Sequence, residues 1–208
     1  MPRITIDYTP AVHQSAGIGR LTREMIHALL ALHSSHQFKL FVMGKKNREL
    51  RMENLESLSK FSILYSLFSD RWFHRLWFKA NVPLPVQWFA GSCDLYHATD
   101  FVLPPTLRNT KTVLTVHDLS FERDPGSAVP TLLAFLRKVV PASARRATHI
   151  IADSHATARD LTELYGIAPQ KITTIYSGVS ARFQISDFSV KKAPIFAKNI
   201  TLGKRPLF

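Results

Sequence analysis

The 208-residue chain is predicted to be an α/β protein with a doubly wound, mostly parallel, Rossmann-like sheet, and three observations carry that expectation. Apolar, β-branched runs alternate along the chain with stretches of helical periodicity, and short turns join them. The run Lys111 to Val116 has no polar face, since Val113, Leu114 and Val116 stand beside Thr112 and Thr115. Such a run suits a central strand covered by helices on both sides. Near the start, a strand pattern, a glycine-containing loop and an amphipathic helix pattern follow one another, an order suited to binding phosphate.

The elements follow in order. Ile4, Ile6 and Tyr8 alternate, so residues 3–8 form the first strand. Thr9 to Gly17 is a loop, and from Ile18 the residues Leu21, Met25, Leu29 and Leu32 fall at helical spacing. Phe38 to Met43 is a second strand, closed by Gly44. Residues 45–60 are charged and read as a loop running into a short helix, and Phe61 to Tyr65 as another strand. A helix over 70–80 brings Trp72 near Arg75 and Phe73 near Trp77. Asp94 to Asp100 is a short strand with His97 and Asp100 near its end. After the central strand, Asp124-Pro125-Gly126 is a turn. From Thr131, the residues Leu132, Phe135, Leu136 and Val139 trace a helix face, and Pro141 is expected to kink or divide that helix. His149 to Ser154 is a strand that ends in a capping residue. A helix over 155–165 follows, with Gly166 at its C′ position. Lys171 to Tyr176 is the last strand.

The totals bound the function. One cysteine, Cys93, excludes an internal disulfide and fits a reducing compartment. The start has no apolar signal region, and no apolar run reaches membrane-span length, so the expected location is cytoplasmic, either free or peripheral at the inner face of the cell membrane. A net charge of +12 favours partners that carry phosphate: nucleic acid, anionic lipid or a nucleotide sugar. Zinc-finger spacing and an aromatic RNA-binding signature are both missing, so no specific nucleic-acid partner is expected.

Several residues are candidates for chemistry. His117 and Asp118 come where the central run stops, at the carboxyl end of a strand, and ligands of open α/β sheets bind at that edge. His117 is either a site residue or simply the end of a strand. Gly17 and Gly19 either admit a phosphate to the backbone or serve a turn. The third glycine and the ribose-binding acid of a dinucleotide site are missing, which counts against a nicotinamide-dependent oxidoreductase. Residues 61–90 hold all three tryptophans. Trp72 and Trp77, with Arg71, Arg75 and Lys79 between and beside them, either face an anionic membrane or pack a helix onto the sheet. Ser154 stands beside His155 but reads as an N-cap rather than a nucleophile.

Four segments, taken in order, resemble one family. They are Gly17-Ile18-Gly19-Arg20 with Leu21 to Glu24 behind it; Val113 to Asp118; Arg145 to Ser154; and Lys171 to Val179. Together the chain resembles the N-terminal half of a GT-B fold glycosyltransferase of family 4. The resemblance implies two Rossmann-like domains facing across a cleft. Residues 1–183 would be the acceptor domain, and 184–208 a linker or the start of a C-terminal donor domain. It implies retaining, hexosyl-type transfer from a nucleotide sugar, without a metal, to a glycan or lipid-linked acceptor, as in polysaccharide biosynthesis. Gly17, Ile18, Gly19 and Arg20 would approach the donor diphosphate, and His117 with Asp118 would stand at the reacting sugar. His97, Asp100 and Ser154 would lie in the acceptor-side cleft. The family's second-domain Arg/Lys pair and Glu-x7-Glu motif have no match here, so this chain is expected to be truncated and inactive alone. The competing expectation is a non-enzymatic module that binds anionic lipid surfaces or nucleic acid.

Overall fold

In chain order the elements are β1 (Arg3–Asp7), α1 (Thr9–His13), α2 (Ile18–Ala31), β2 (Gln37–Val42), β3 (Phe61–Tyr65) and α3 (Asp70–His74). A π-helical turn over Arg75–Lys79 continues α3, and α4 (Gln87–Ala90), β4 (Leu95–Ala98), β5 (Lys111–Val116) and α5 (Ser120–Arg123) follow. Then come α6 (Pro130–Arg146), β6 (His149–Ala152), α7 (His155–Tyr165) and β7 (Ile172–Thr174). The structure is a computed structural model and describes residues 1–15, 17–32, 36–44, 61–127 and 129–178. The loop and short helix expected over 45–60, and the linker expected over 184–208, lie outside the described residues.

All seven strands pair parallel, in the order β3-β2-β1-β4-β5-β6-β7. The chain builds outward from β1 to β3 and then crosses back to β4, so the order reverses between β1 and β4. That reversal leaves a crevice at the carboxyl ends of the two strands, the usual ligand position in open α/β sheets. Asp7, Thr99 and Asp100 sit at or just beyond those strand ends, and His117 stands just beyond the end of neighbouring β5.

Alternation along the strands divides the core between the two faces of the sheet. In β2, Phe38, Leu40 and Val42 join one apolar cluster with Ile6 and with Ile26 of α2. Phe41, one step out of phase, joins the other cluster with Phe73, Trp77, Tyr96, Leu114 and Ile150. Each fully buried side chain of this size contributes about 1.5–3 kcal/mol. These elements belong to one unit, Met1–Ser177.

Two expectations need correction. The stretch after β1 is not all loop, because α1 forms there. Pro10 sits in its first turn, where a missing N–H costs no hydrogen bond, and Asp7 Oδ1 accepts the Thr9 N–H at 2.9 Å. Pro141 does not divide α6, which runs unbroken from Pro130 to Arg146. Val139 and Val140 before the proline, and Ser143 and Ala144 after it, are all buried on the sheet. Packing on both sides of the proline holds the helix together against its lost hydrogen bond. The ends of α7 match their sequence signals. Ser154 Oγ accepts the Thr157 N–H at 3.0 Å, and Gly166 adopts φ +67 with its N–H donated to Thr162 O.

Candidate active site

His117 closes β5 and is held from two sides. Nδ1 is 2.7 Å from Asp153 Oδ2, just beyond β6, and Nε2 is 2.9 Å from the Thr99 carbonyl, just beyond β4. Both partners can accept a hydrogen bond, so the two contacts favour a ring that donates from both nitrogens, the imidazolium form. Burial opposes that charge. The Asp153 carboxylate, the Thr99 carbonyl and the charge of Asp100 outweigh it and raise the pKa above the ordinary imidazole value. The side chain is 10% exposed, and the Phe101 ring packs edge-on against it at 5.3 Å.

Asp118 faces away from this arrangement. Its Oδ1 accepts the Ser120 N–H at 2.9 Å and the Ser120 hydroxyl at 2.6 Å, closing an Asx turn at the start of α5. The carboxylates near His117 are Asp153 and Asp100. Asp153 lay inside a segment quoted for the family resemblance but carried no signal of its own, because its partner is 36 residues earlier in the chain.

Asp100 follows β4 and accepts a hydrogen bond from Gln14 Nε2 at 3.0 Å. Burial raises its pKa, against the hydrogen bond from Gln14 and the charge of His117. Asp7 is pushed up to about 6 by burial, partly offset by its bonds from Thr9. His97 is not part of the cleft. It lies inside the sheet, with Nε2 2.9 Å from Thr115 Oγ1, and burial with the nearby charge of His117 lowers its pKa to about 4. Ser154 is engaged as the cap of α7, its hydroxyl 2.9 Å from Thr157 Oγ1.

The two glycines before α2 differ. Gly17 is the N-cap, with φ +54 and ψ −117, a region open to little but glycine, and nothing stands within 4 Å of where its Cβ would be. Gly19 is buried, and a Cβ there would fall 2.1 Å from Gln14 O and 2.6 Å from Pro10 O. Its missing side chain makes room for the protein's own backbone. Ile18 and Arg20 complete the first turn of α2, which has neither an acidic residue nor a side-chain cap. Arg23, which the sequence did not single out, organises this loop: its guanidinium donates to the carbonyls of Ala11, Gln14 and Ser15.

A cavity of about 440 Å³ opens beside these groups. Asp7, Asp100, Gln14 and His13 line one side of it, and Phe73, Trp77, Phe78, Leu132 and Phe135 the other. The aromatic segment therefore serves the core and this cavity. Phe73 and Trp77 stack at 4.5 Å, as their spacing in the sequence predicts. Trp77 is 4% exposed and donates its indole N–H to Leu84 O at 2.8 Å, so its ring is turned away from solvent and from any membrane surface. Trp72 is half-buried, stacked on Phe68 at 4.2 Å, while Arg71, Arg75 and Lys79 are exposed. Among the described residues, no group of three or more His, Cys, Asp or Glu is placed to hold a metal ion. Likewise, no helix among them is long and apolar enough to cross a membrane.

The all-parallel seven-stranded sheet with flanking helices makes this a Rossmann-like α/β domain. The profile of Glycosyltransferase Family 4 matches residues 15–183, and the chain belongs to that family as its N-terminal-type domain. Among curated proteins, no sequence matches the chain.

Proposed function

We propose that the chain forms the acceptor-side wall of a retaining glycosyltransferase that moves a hexosyl group from a nucleotide sugar to a glycan or lipid-linked acceptor. One observation carries this. The His117–Asp153 pair stands just beyond the carboxyl ends of β5 and β6, Asp100 just beyond β4 lines a cavity with Asp7 and Gln14, and α2 starts after β1 and α1 with no side-chain cap. In the reaction the bond between the donor's anomeric carbon and the diphosphate oxygen breaks. The acceptor hydroxyl bonds to that carbon, and its proton leaves with the nucleoside diphosphate.

Each group has a part. The first-turn amides of α2, at Ile18, Gly19 and Arg20, and the positive end of the helix dipole suit the diphosphate. His117 stands by the transferred sugar, and Asp153 orients its ring and favours the protonated form. Asp118 contributes through the turn that starts α5. Most of the positive charge for the departing diphosphate comes from a second, donor-binding domain facing this one. No metal takes part.

The exposed cations Arg71, Arg75 and Lys79 support a peripheral place at an anionic membrane, where a lipid-linked acceptor resides. Binding to anionic vesicles that falls with salt tests this part, and equal binding to neutral vesicles sinks it.

The main reading is tested by joining residues 1–183 to the donor domain of a Glycosyltransferase Family 4 enzyme. The chimera is incubated with its nucleotide sugar and a panel of glycan and lipid-linked acceptors. Product is expected from the chimera and none from residues 1–208 alone. A chimera that binds the donor but glycosylates nothing in the panel contradicts the proposal.

A further inference from the structure

The cavity at the carboxyl ends of β1 and β4 is lined by charge opposite to that of the chain. The net charge is +12, yet the charged residues that line the cavity are Asp7, Asp70 and Asp100, and among its described lining there is no lysine or arginine. Two histidines also face it. His13 Nε2 sits 3.1 Å from the Met43 carbonyl, and burial together with the charge of Lys79 lowers the pKa of His74. The cations Arg71, Arg75 and Lys79 line an adjoining surface depression that shares Asp70 and His74 with the cavity.

The rest of the lining is aromatic and aliphatic. Phe78 and Phe135, both partly exposed, lie 5.9 Å apart on the aromatic side, with the buried, mutually stacked Phe73 and Trp77 behind them. Aromatic faces of this kind pack against the C–H faces of a pyranose, while its hydroxyls need acceptors or donors at the edges. Asp100 is placed to accept them. Gln14 occupies only one of its oxygens, and an ionised carboxylate has about four lone-pair sites. Asp7 is fixed on the other side by the Thr9 N–H. A volume of about 440 Å³ falls within the usual range for small-ligand sites.

Resting on the transfer reading above, we infer that this cavity holds an uncharged acceptor sugar ring, stacked on the aromatic wall with its hydroxyls donating to Asp100, and that it excludes rings bearing a carboxylate or phosphate. The acids supply acceptors that hydroxyls match, and they repel an anion at short range where water screens little. Phosphate groups elsewhere on an acceptor stay outside, toward the basic depression.

The test uses residues 1–208 and three pairs of phenyl glycosides, gluco, galacto and manno, each as the neutral hexoside and as the corresponding uronide. Within a pair only the group at C6 changes, from hydroxymethyl to carboxylate. Saturation-transfer NMR and calorimetric titration read binding. At least one neutral hexoside is expected to bind, about tenfold or more tighter than its uronide. Asp100→Asn, nearly isosteric, is expected to narrow that ratio to about threefold or less. Leu132→Trp, at a half-exposed position at the cavity wall, is expected to abolish binding without disturbing the core. Uronides that bind as tightly as hexosides overturn the inference, and so does hexoside binding that survives Leu132→Trp or a complete absence of binding. If the hexosides bind as described while the chimera transfers no sugar, the transfer reading falls and the neutral-ring site stands. If the chimera transfers preferentially to uronides, the reverse holds.

Discussion

His117 Nδ1 and Asp153 Oδ2 lie 2.7 Å apart and join the ends of two neighbouring parallel strands, β5 and β6. The contact favours the charged ring as well as fixing its position, because the second nitrogen also meets an acceptor. A folded-state pKa above the ordinary imidazole value of 6.5 means the folded chain holds this proton more tightly than the unfolded chain. The resulting stabilisation is complete below pH 6.5 and is lost as the pH rises through the raised value. His97 works in the opposite direction, since its pKa near 4 costs stability as the pH falls from 6.5 toward 4. The two effects overlap in a melting curve, so the ring itself is the better readout. In ¹⁵N-labelled chain, His117 is expected to titrate above 6.5, and Asp153→Asn is expected to move it downward. An unchanged titration in that variant contradicts the part given to Asp153 in raising the His117 pKa.

Asp7 is raised from 3.8 to about 6 by burial, so its ionised form is strained at neutral pH. Its contribution is fully favourable below pH 3.8 and is lost as the pH rises through about 6. Asn can still accept the Thr9 N–H at this position. Asp7→Asn is expected to stabilise the chain at pH 8 by roughly 1–3 kcal/mol in urea denaturation and to lose that advantage near pH 4. Equal stability of the two chains at pH 8 counts against the buried, strained carboxylate.

The two loop glycines give opposite variants. Gly19→Ala drives a methyl into the Gln14 and Pro10 carbonyls and is expected to cost about 3 kcal/mol or more. Gly17→Ala meets no neighbour and costs only its backbone conformation, about 1–3 kcal/mol. Its larger effect is expected on nucleotide-sugar use by the chimera. Denaturant midpoints that rank the two in the other order refute the packing role of Gly19.

Much of this fold was legible in the sequence, since its elements announce themselves over short windows. The β-branched run of β5, the cap and glycine of α7 and the stacked Phe73–Trp77 pair each depend on residues within a few positions of one another. The strand-end position of His117 was legible for the same reason. Its partners were not: Asp153 and Thr99 are 36 and 18 residues away in the chain, and only strand order brings them together. Asp118 drew attention by adjacency, but its side chain turns back onto Ser120. Gly19 looked open because a sequence does not show that α1 would fold against it. Trp77 illustrates a further limit, since an aromatic helix beside basic residues reads alike whether its rings face lipid or core.

The central claim is that the His117 arrangement serves sugar transfer rather than only folding. Turnover by the chimera, measured for wild type and His117→Ala beside their melting temperatures, tests it most directly. The account predicts a loss of about 100-fold or more in turnover, with both proteins folded at the assay temperature. Unchanged turnover, or a loss no larger than the fraction unfolded, would contradict it.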